Sequence, residues 1–297
     1  MLLTKVPSIV YVLKKIKIEF LYTLVIALIA SYLTYLFDFA IPSMPINVPA
    51  FLGTAISIII SFKLSQSYDR WWEARKIWGA IVNDSRTFTL QLQSFITQGS
   101  DDVVKKMAFR QIAWCFCLGQ SLRGLDPLEN LGKYISEDDI NKISTNNNKP
   151  LALLQLNSRQ IAELKNDGKM DIFSHVHINT TLISLTNAMG MAERIKSTVF
   201  PVPYRVFLHL MIYLFVITLS ISLGVVKPVF EIPLLVVISS GFFVLEKMAT
   251  LLQDPFENKP TDTAMTTIAT NIEINIKQLL KEDDIPQPLK PHSFYSL

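Results

Sequence analysis

The stretch FLGTAISIIISFKLSQSYDRWWEAR, Phe51 to Arg75, begins as an apolar helix and ends as a charged, tryptophan-rich one, with no turn signal between its halves. A membrane span needs about 20 apolar residues. The apolar run here, Val48 to Phe62, falls short of that and needs the amphipathic extension after Phe62. The spacing therefore predicts a helix that continues out of the membrane into water. A helix that passes from lipid depth into water unbroken suits a channel wall.

Around this stretch, the composition points to an integral membrane protein with a large water-exposed portion. Half of the 297 residues are hydrophobic, 18% are charged, and the net charge is only +3. That small excess gives no reason to expect nucleic-acid binding. Three further apolar runs reach membrane length: Phe20 to Phe37, Val206 to Val226 and Val229 to Leu252. The last must shelter Glu231, Glu246 and Lys247, because charges at that depth face protein or water. The first is expected to be a true span rather than a cleaved signal, since no small-x-small site follows it.

Basic residues set the expected orientation. Lys5, Lys14, Lys15 and Lys17 precede the first span, whereas the linker Asp38 to Asn47 has no Lys or Arg and carries Pro42 and Pro45. Residues 63–205 are rich in Lys and Arg, and the short connection between the third and fourth spans has Lys227 as its only basic residue. The positive-inside bias then places both termini and the middle segment in the cytoplasm. The expected organisation is all-α. Residues 1–62 hold the N-terminal segment and the first two spans, 63–203 a cytosolic helical region, 204–252 the other two spans, and 253–297 a cytosolic helix and tail.

Within the middle segment, helices are expected over Asp69–Gln98, Asp101–Leu125, Pro150–Leu164 and Asp171–Ser197, with a short one in Gly132–Asn148 and a break at Thr145–Pro150. After the turn Asp254-Pro255-Phe256, a further helix is expected over Asp262–Lys281. Cys115 and Cys117 are one residue apart, a spacing that suits neither a disulfide nor a zinc half-site, and they read as buried reduced thiols. Enzymatic constellations are lacking. His175 and His177 point about 200° apart on a helix, His209 reads as a packing residue within a span, and His292 lies in the tail. No metal or cofactor site is expected, and Glu282-Asp283-Asp284 reads as solvated.

On the second span, Thr54, Ile58 and Phe62 share one helical line, and the small residues Gly53, Ser57 and Ser61 an adjacent one. Two readings of the first line stay open at this point. Several copies around an axis would turn it into stacked rings that gate by dewetting, or Ile58 and Phe62 face lipid or a neighbouring span. Trp71 and Trp72 suit interfacial anchoring, and Arg70 and Asp69 are candidates to pair with Glu246 and Lys247.

The chain resembles the bestrophins, in particular their bacterial branch. The resemblance rests on Tyr68-Asp69-Arg70-Trp71-Trp72-Glu73-Ala74-Arg75 with Trp78-Gly79, on Glu193-Arg194-Ile195 followed by Pro201-Val202-Pro203-Tyr204, and on Asp254-Pro255-Phe256 followed by Asn271-Ile272-Glu273. It implies a homopentameric ion channel with one pore on the fivefold axis. The family's neck positions fall on Thr54, Ile58 and Phe62, and its cytosolic aperture on Phe173, with Ile172 the alternative. Thr54 departs from the family's apolar neck, so Ile58 and Phe62 are the expected constriction. Animal members bind calcium at an acidic run after the Pro-Phe turn. Here Glu257-Asn258-Lys259-Pro260-Thr261-Asp262 lacks that run, so no calcium clasp is expected.

The expected function is passive passage of monovalent ions through a bacterial inner membrane. An apolar neck carries no charge that would choose chloride over sodium. The alternative is a non-conducting membrane scaffold or sensor with a partner-binding cytosolic domain. Alternating-access transport uses internal repeats and broken helices, and the sequence has neither.

Overall fold

A computed structural model of the chain describes residues 9–37, 44–97, 100–198, 201–223 and 228–290. Pro42, Lys227 and His292 lie outside the described residues. Among those described there are ten α-helices and no strand. They are α1 (Ile9–Lys15), α2 (Lys17–Leu36), α3 (Asn47–Phe95), α4 (Asp101–Arg123), α5 (Glu137–Ser144), α6 (Lys149–Asn166), α7 (Ile172–Ser197), α8 (Val202–Ser222), α9 (Pro228–Gln253) and α10 (Met265–Leu279).

The 49-residue helix α3 contains the opening stretch entire. Pro49 sits in its first turn, where a missing N–H is tolerated. At 1.5 Å per residue the helix is about 74 Å long, against a hydrocarbon layer of about 30 Å. The short apolar run is thus one part of a helix far longer than a span. Among the described residues, four helices are long and apolar enough to cross a membrane: residues 17–36, 47–95, 203–222 and 228–253.

The chain forms two compact units. Among the described residues, one comprises those within 9–70 and 201–254, the other those within 71–198 and 255–290. In the first, α2 packs on α8 and α9, and the N-terminal part of α3 joins them. Its core holds Ala27, Ile56, Ile60, Leu208, Ile212, Phe215, Val216, Leu235 and Phe243. The acid Glu231 of α9 is buried there, where its carboxylate accepts hydrogen bonds from Ser31 Oγ at 3.1 Å and Ser220 Oγ at 2.5 Å. Two hydroxyls from neighbouring helices thus supply the shelter that a charge in an apolar segment demands.

The second unit is built around α4, whose Ile112, Trp114, Cys115, Cys117 and Leu118 are fully buried. Around it pack the C-terminal part of α3 through Trp78, Ile81, Phe88 and Leu92, together with α6, α7 and α10. Helix ends follow local chemistry. Asp171 caps α7, its Oδ1 accepting from the amides of Phe173 and Ser174 at 2.8 and 3.1 Å; the Ser174 hydroxyl, which donates to Oδ2, together with these amides holds its carboxyl below the usual range. Asn148 caps α6 with Pro150 in the first turn, and Gly124 ends α4 in the left-handed conformation at φ 71°. The last helix starts later than expected. Asp262 belongs to the preceding loop, where it accepts from the Lys259 amide at 3.1 Å, and α10 begins at Met265. Glu282 is also more than solvated: Lys105 Nζ lies 2.7 Å from its carboxylate.

Two features of this unit are directly testable. Arg110 and Asp139 form a two-pronged pair at 2.8 and 2.9 Å, with side chains 5% and 1% exposed. Removing one partner of a buried pair strands the other charge, at a cost of about 3–5 kcal/mol. Arg110→Ala is expected to lower the thermal unfolding midpoint of the detergent-purified protein sharply, and Arg110→Met with Asp139→Leu to recover most of the loss. Cys115 and Cys117 are free, and burial pushes both thiols up to about 12. Mass spectrometry after iodoacetamide treatment at pH 8 is expected to find both unmodified in the folded protein and both alkylated in denaturant.

Candidate pore-lining face and its buried polar support

In the first unit, α3 is locked in rotation by one buried line: Ile56, Ile60, Lys63 and Ser67. Gly53 meets α8 at close quarters; a Cβ there would lie 3.2 Å from the Phe215 ring. The Tyr204 hydroxyl donates to the Ile59 carbonyl at 3.0 Å, a second tie between α8 and α3. Residues two apart lie about 200° apart around a helix. Burying Ile56 and Ile60 therefore turns Thr54, Ile58 and Phe62 away from the bundle. All three are exposed, Ile58 by 53% and Phe62 by 65%. Beside them Ser57 and Ser61 are exposed and small. The Thr54 and Ser57 hydroxyls donate back to the carbonyls of Ala50 and Gly53 at 2.9 and 2.8 Å. On this face the Thr54 and Ser57 hydroxyls are thus turned onto their own backbone.

Lys63 is the residue that sequence reasoning misplaced, as the first charge of the watery segment. Its side chain is 1% exposed, and its ammonium donates to Glu246 Oε1 at 2.7 Å and Thr250 Oγ1 at 2.9 Å. His209 Nε2 lies 3.4 Å from the other Glu246 oxygen, its ring edge-on to Phe243. The partner of Glu246 is thus Lys63, where Arg70 was the candidate, and Asp69 does not pair with Lys247. Arg70 lies 3.8 Å from Asp254 instead, Lys247 lies 3.9 Å from Glu19, and Asp69 is exposed. A lysine directly after an apolar run looks like a solvated flank. Only the distant acid on α9 shows otherwise.

In the second unit, the Trp71 indole N–H donates to the Thr261 carbonyl at 2.9 Å, while Trp72 is 47% exposed. Pro255 and Phe256 are buried, and the Pro255 carbonyl accepts from the Thr263 amide at 3.1 Å. Trp71 therefore stitches α3 to the loop that the Pro-Phe turn opens. Ile172 and Phe173 occupy the first turn of α7 just after the Asp171 cap, 64% and 77% exposed. Two large apolar side chains at a rigid, capped helix start stand clear of the core of their own chain. His175 contacts Asn179, and His177 lies near the Phe95 ring. Among the described residues, no group of three or more His, Cys, Asp or Glu side chains could hold a metal ion.

The chain is 28% identical over 284 residues to the "Voltage-dependent anion channel-forming protein YneE" of Escherichia coli K12, covering 95% of this chain and 91% of that protein. It is 32% identical over 250 residues to the protein of the same name from Salmonella typhi, covering 83% of this chain and 80% of the relative. The crystal structure of a bacterial bestrophin homolog from Klebsiella pneumoniae superposes with a TM-score of 0.83 at 26% identity, over 91% of this chain and all of that one. The sequence profile of the Bacterial/Fungal Bestrophin protein family matches residues 6–278. The chain is a membrane protein and belongs to the bacterial and fungal bestrophin family.

Proposed function

We propose that the chain assembles as a homopentamer and conducts monovalent ions passively through a central pore, with Thr54, Ile58 and Phe62 as its neck. The observation that carries this reading is the line of large apolar side chains that α3 holds away from its own bundle, with small Ser57 and Ser61 beside it. Small residues let neighbouring helices approach closely, and an apolar ring around a narrow axis gates by dewetting. The relatives named as anion channel-forming support channel activity over enzymatic chemistry. Phe173, with Ile172 as the alternative, lines a second constriction at the cytosolic exit. The Lys and Arg distribution supports an inner-membrane location with both termini in the cytoplasm.

The neck carries no fixed charge, so any full charge that helps to choose the sign of the permeant ion lies outside it. The reversal potential in asymmetric NaCl separates the anion passage that the relatives' names describe from cation passage. Purified protein in liposomes is expected to give ion flux under a salt gradient; a scaffold or sensor would give none.

In planar bilayers, Ile58→Ala and Phe62→Ala are each expected to raise open probability or conductance over the wild type. Unchanged currents in both would remove the gate from this line.

Gating is independent of calcium in this reading. The stretch that would offer acids has Lys259 paired with Glu257, and the Asp262 carboxylate takes up the Lys259 amide. Adding millimolar calcium or a chelator on either side is expected to leave the current unchanged within error.

A further inference from the structure

At one end of the first unit, the start of α2, the start of α8 and the end of α9 enclose a polar cavity of about 350 Å³, lined by Glu19, Arg205, His209, Glu246, Lys247 and Thr250. Its charges do not cancel. Glu246 is neutralised by Lys63, and Glu19 lies 3.9 Å from Lys247. The Arg205 guanidinium has no partner among the described residues, so the cavity keeps one positive charge. His209 Nε2 approaches Glu246 at 3.4 Å without hydrogen-bond geometry and is buried.

Val206 and His209 also line an apolar groove of about 550 Å³ along α8. Ile217 then joins that groove to another of about 310 Å³, between α8 and α2. Val206, Leu210, Leu214 and Ile217 are exposed along this path, by 60, 58, 41 and 40%. From Val206 to Ile221 the helix rises about 22 Å, most of the depth of the hydrocarbon layer.

A surplus cation at the end of a span, opening directly onto an apolar channel along it, is the outline of an amphipathic anion. We propose that this seam binds one anionic glycerophospholipid of the bilayer, with its phosphate on Arg205 and an acyl chain between α8 and α2. A single phosphodiester charge matches the single unbalanced cation. A second copy of the chain seated here would have to bring its own anion to Arg205. The site goes beyond the channel reading and does not depend on it.

The test uses full-length protein in mild detergent, titrated with phosphatidylglycerol and followed by native mass spectrometry. One lipid per subunit is expected to remain bound. Arg205→Ala is expected to weaken retention by at least about tenfold through loss of charge-assisted hydrogen bonds, and Leu214→Trp to weaken it by filling the groove. Lys106→Ala, in the other unit, is expected to behave as wild type. Arg205 and Leu214 are exposed, so both variants are expected to keep the lipid-free unfolding midpoint. Equal retention in wild type, Arg205→Ala and Leu214→Trp would overturn the proposal. So would displacement of the lipid by millimolar inorganic phosphate, which would make this a free-anion site. Quantitative disulfide cross-linking of Leu210→Cys between copies in native membranes would assign the groove to subunit contact instead.

Discussion

The first unit depends on a lysine and a glutamate that meet inside an apolar helix bundle. A lysine ammonium is strongly hydrated, and burying it alone is prohibitive. Lys63 tolerates burial because Glu246 supplies the opposite charge and Thr250 a further acceptor. Such a pair adds little net stability over an apolar replacement, and its strength lies in specifying one arrangement. Any turn or slide of α3 against α9 would strand two charges at once. The exposed line on α3 owes its direction to this constraint, reinforced by the Gly53 approach to Phe215 and the Tyr204 hydrogen bond.

Much of the fold was legible because helices write their limits into neighbouring residues. Asp171, Asn148 and Gly124 sit where local capping chemistry wants them, and α4, α6 and α7 begin or end beside them. The continuity of α3 was legible from the absence of breakers between Phe51 and Arg75. Spacing groups 54, 58 and 62 on one line, opposite 56 and 60, but it left open which side faces the bundle; the burial of Ile56 and Ile60 supplies that.

What stayed hidden was long-range pairing. Lys63 and Glu246 are 183 residues apart, and nothing local to either distinguishes a buried partner from a solvated flank. The same holds for Arg70 with Asp254, for Trp71 with the Thr261 carbonyl, and for the two serines around Glu231. At α10 the local pattern misled: an acid placed like a helix cap at Asp262 serves its own loop, because the backbone turns at Asn258, with φ at 64°, before the helix begins.

The Thr54 hydroxyl has a further consequence. Its hydrogen is committed to Ala50, and the Ser57 hydrogen to Gly53. Each hydroxyl therefore turns outward only lone pairs and hydrocarbon. In the proposed neck, a ring of Thr54 would act as a Lewis base: it can accept from water or ligate a metal cation, but it has no proton to offer a halide. At that level, an anion would have to keep its own water, while a cation could trade some of its water for protein oxygen.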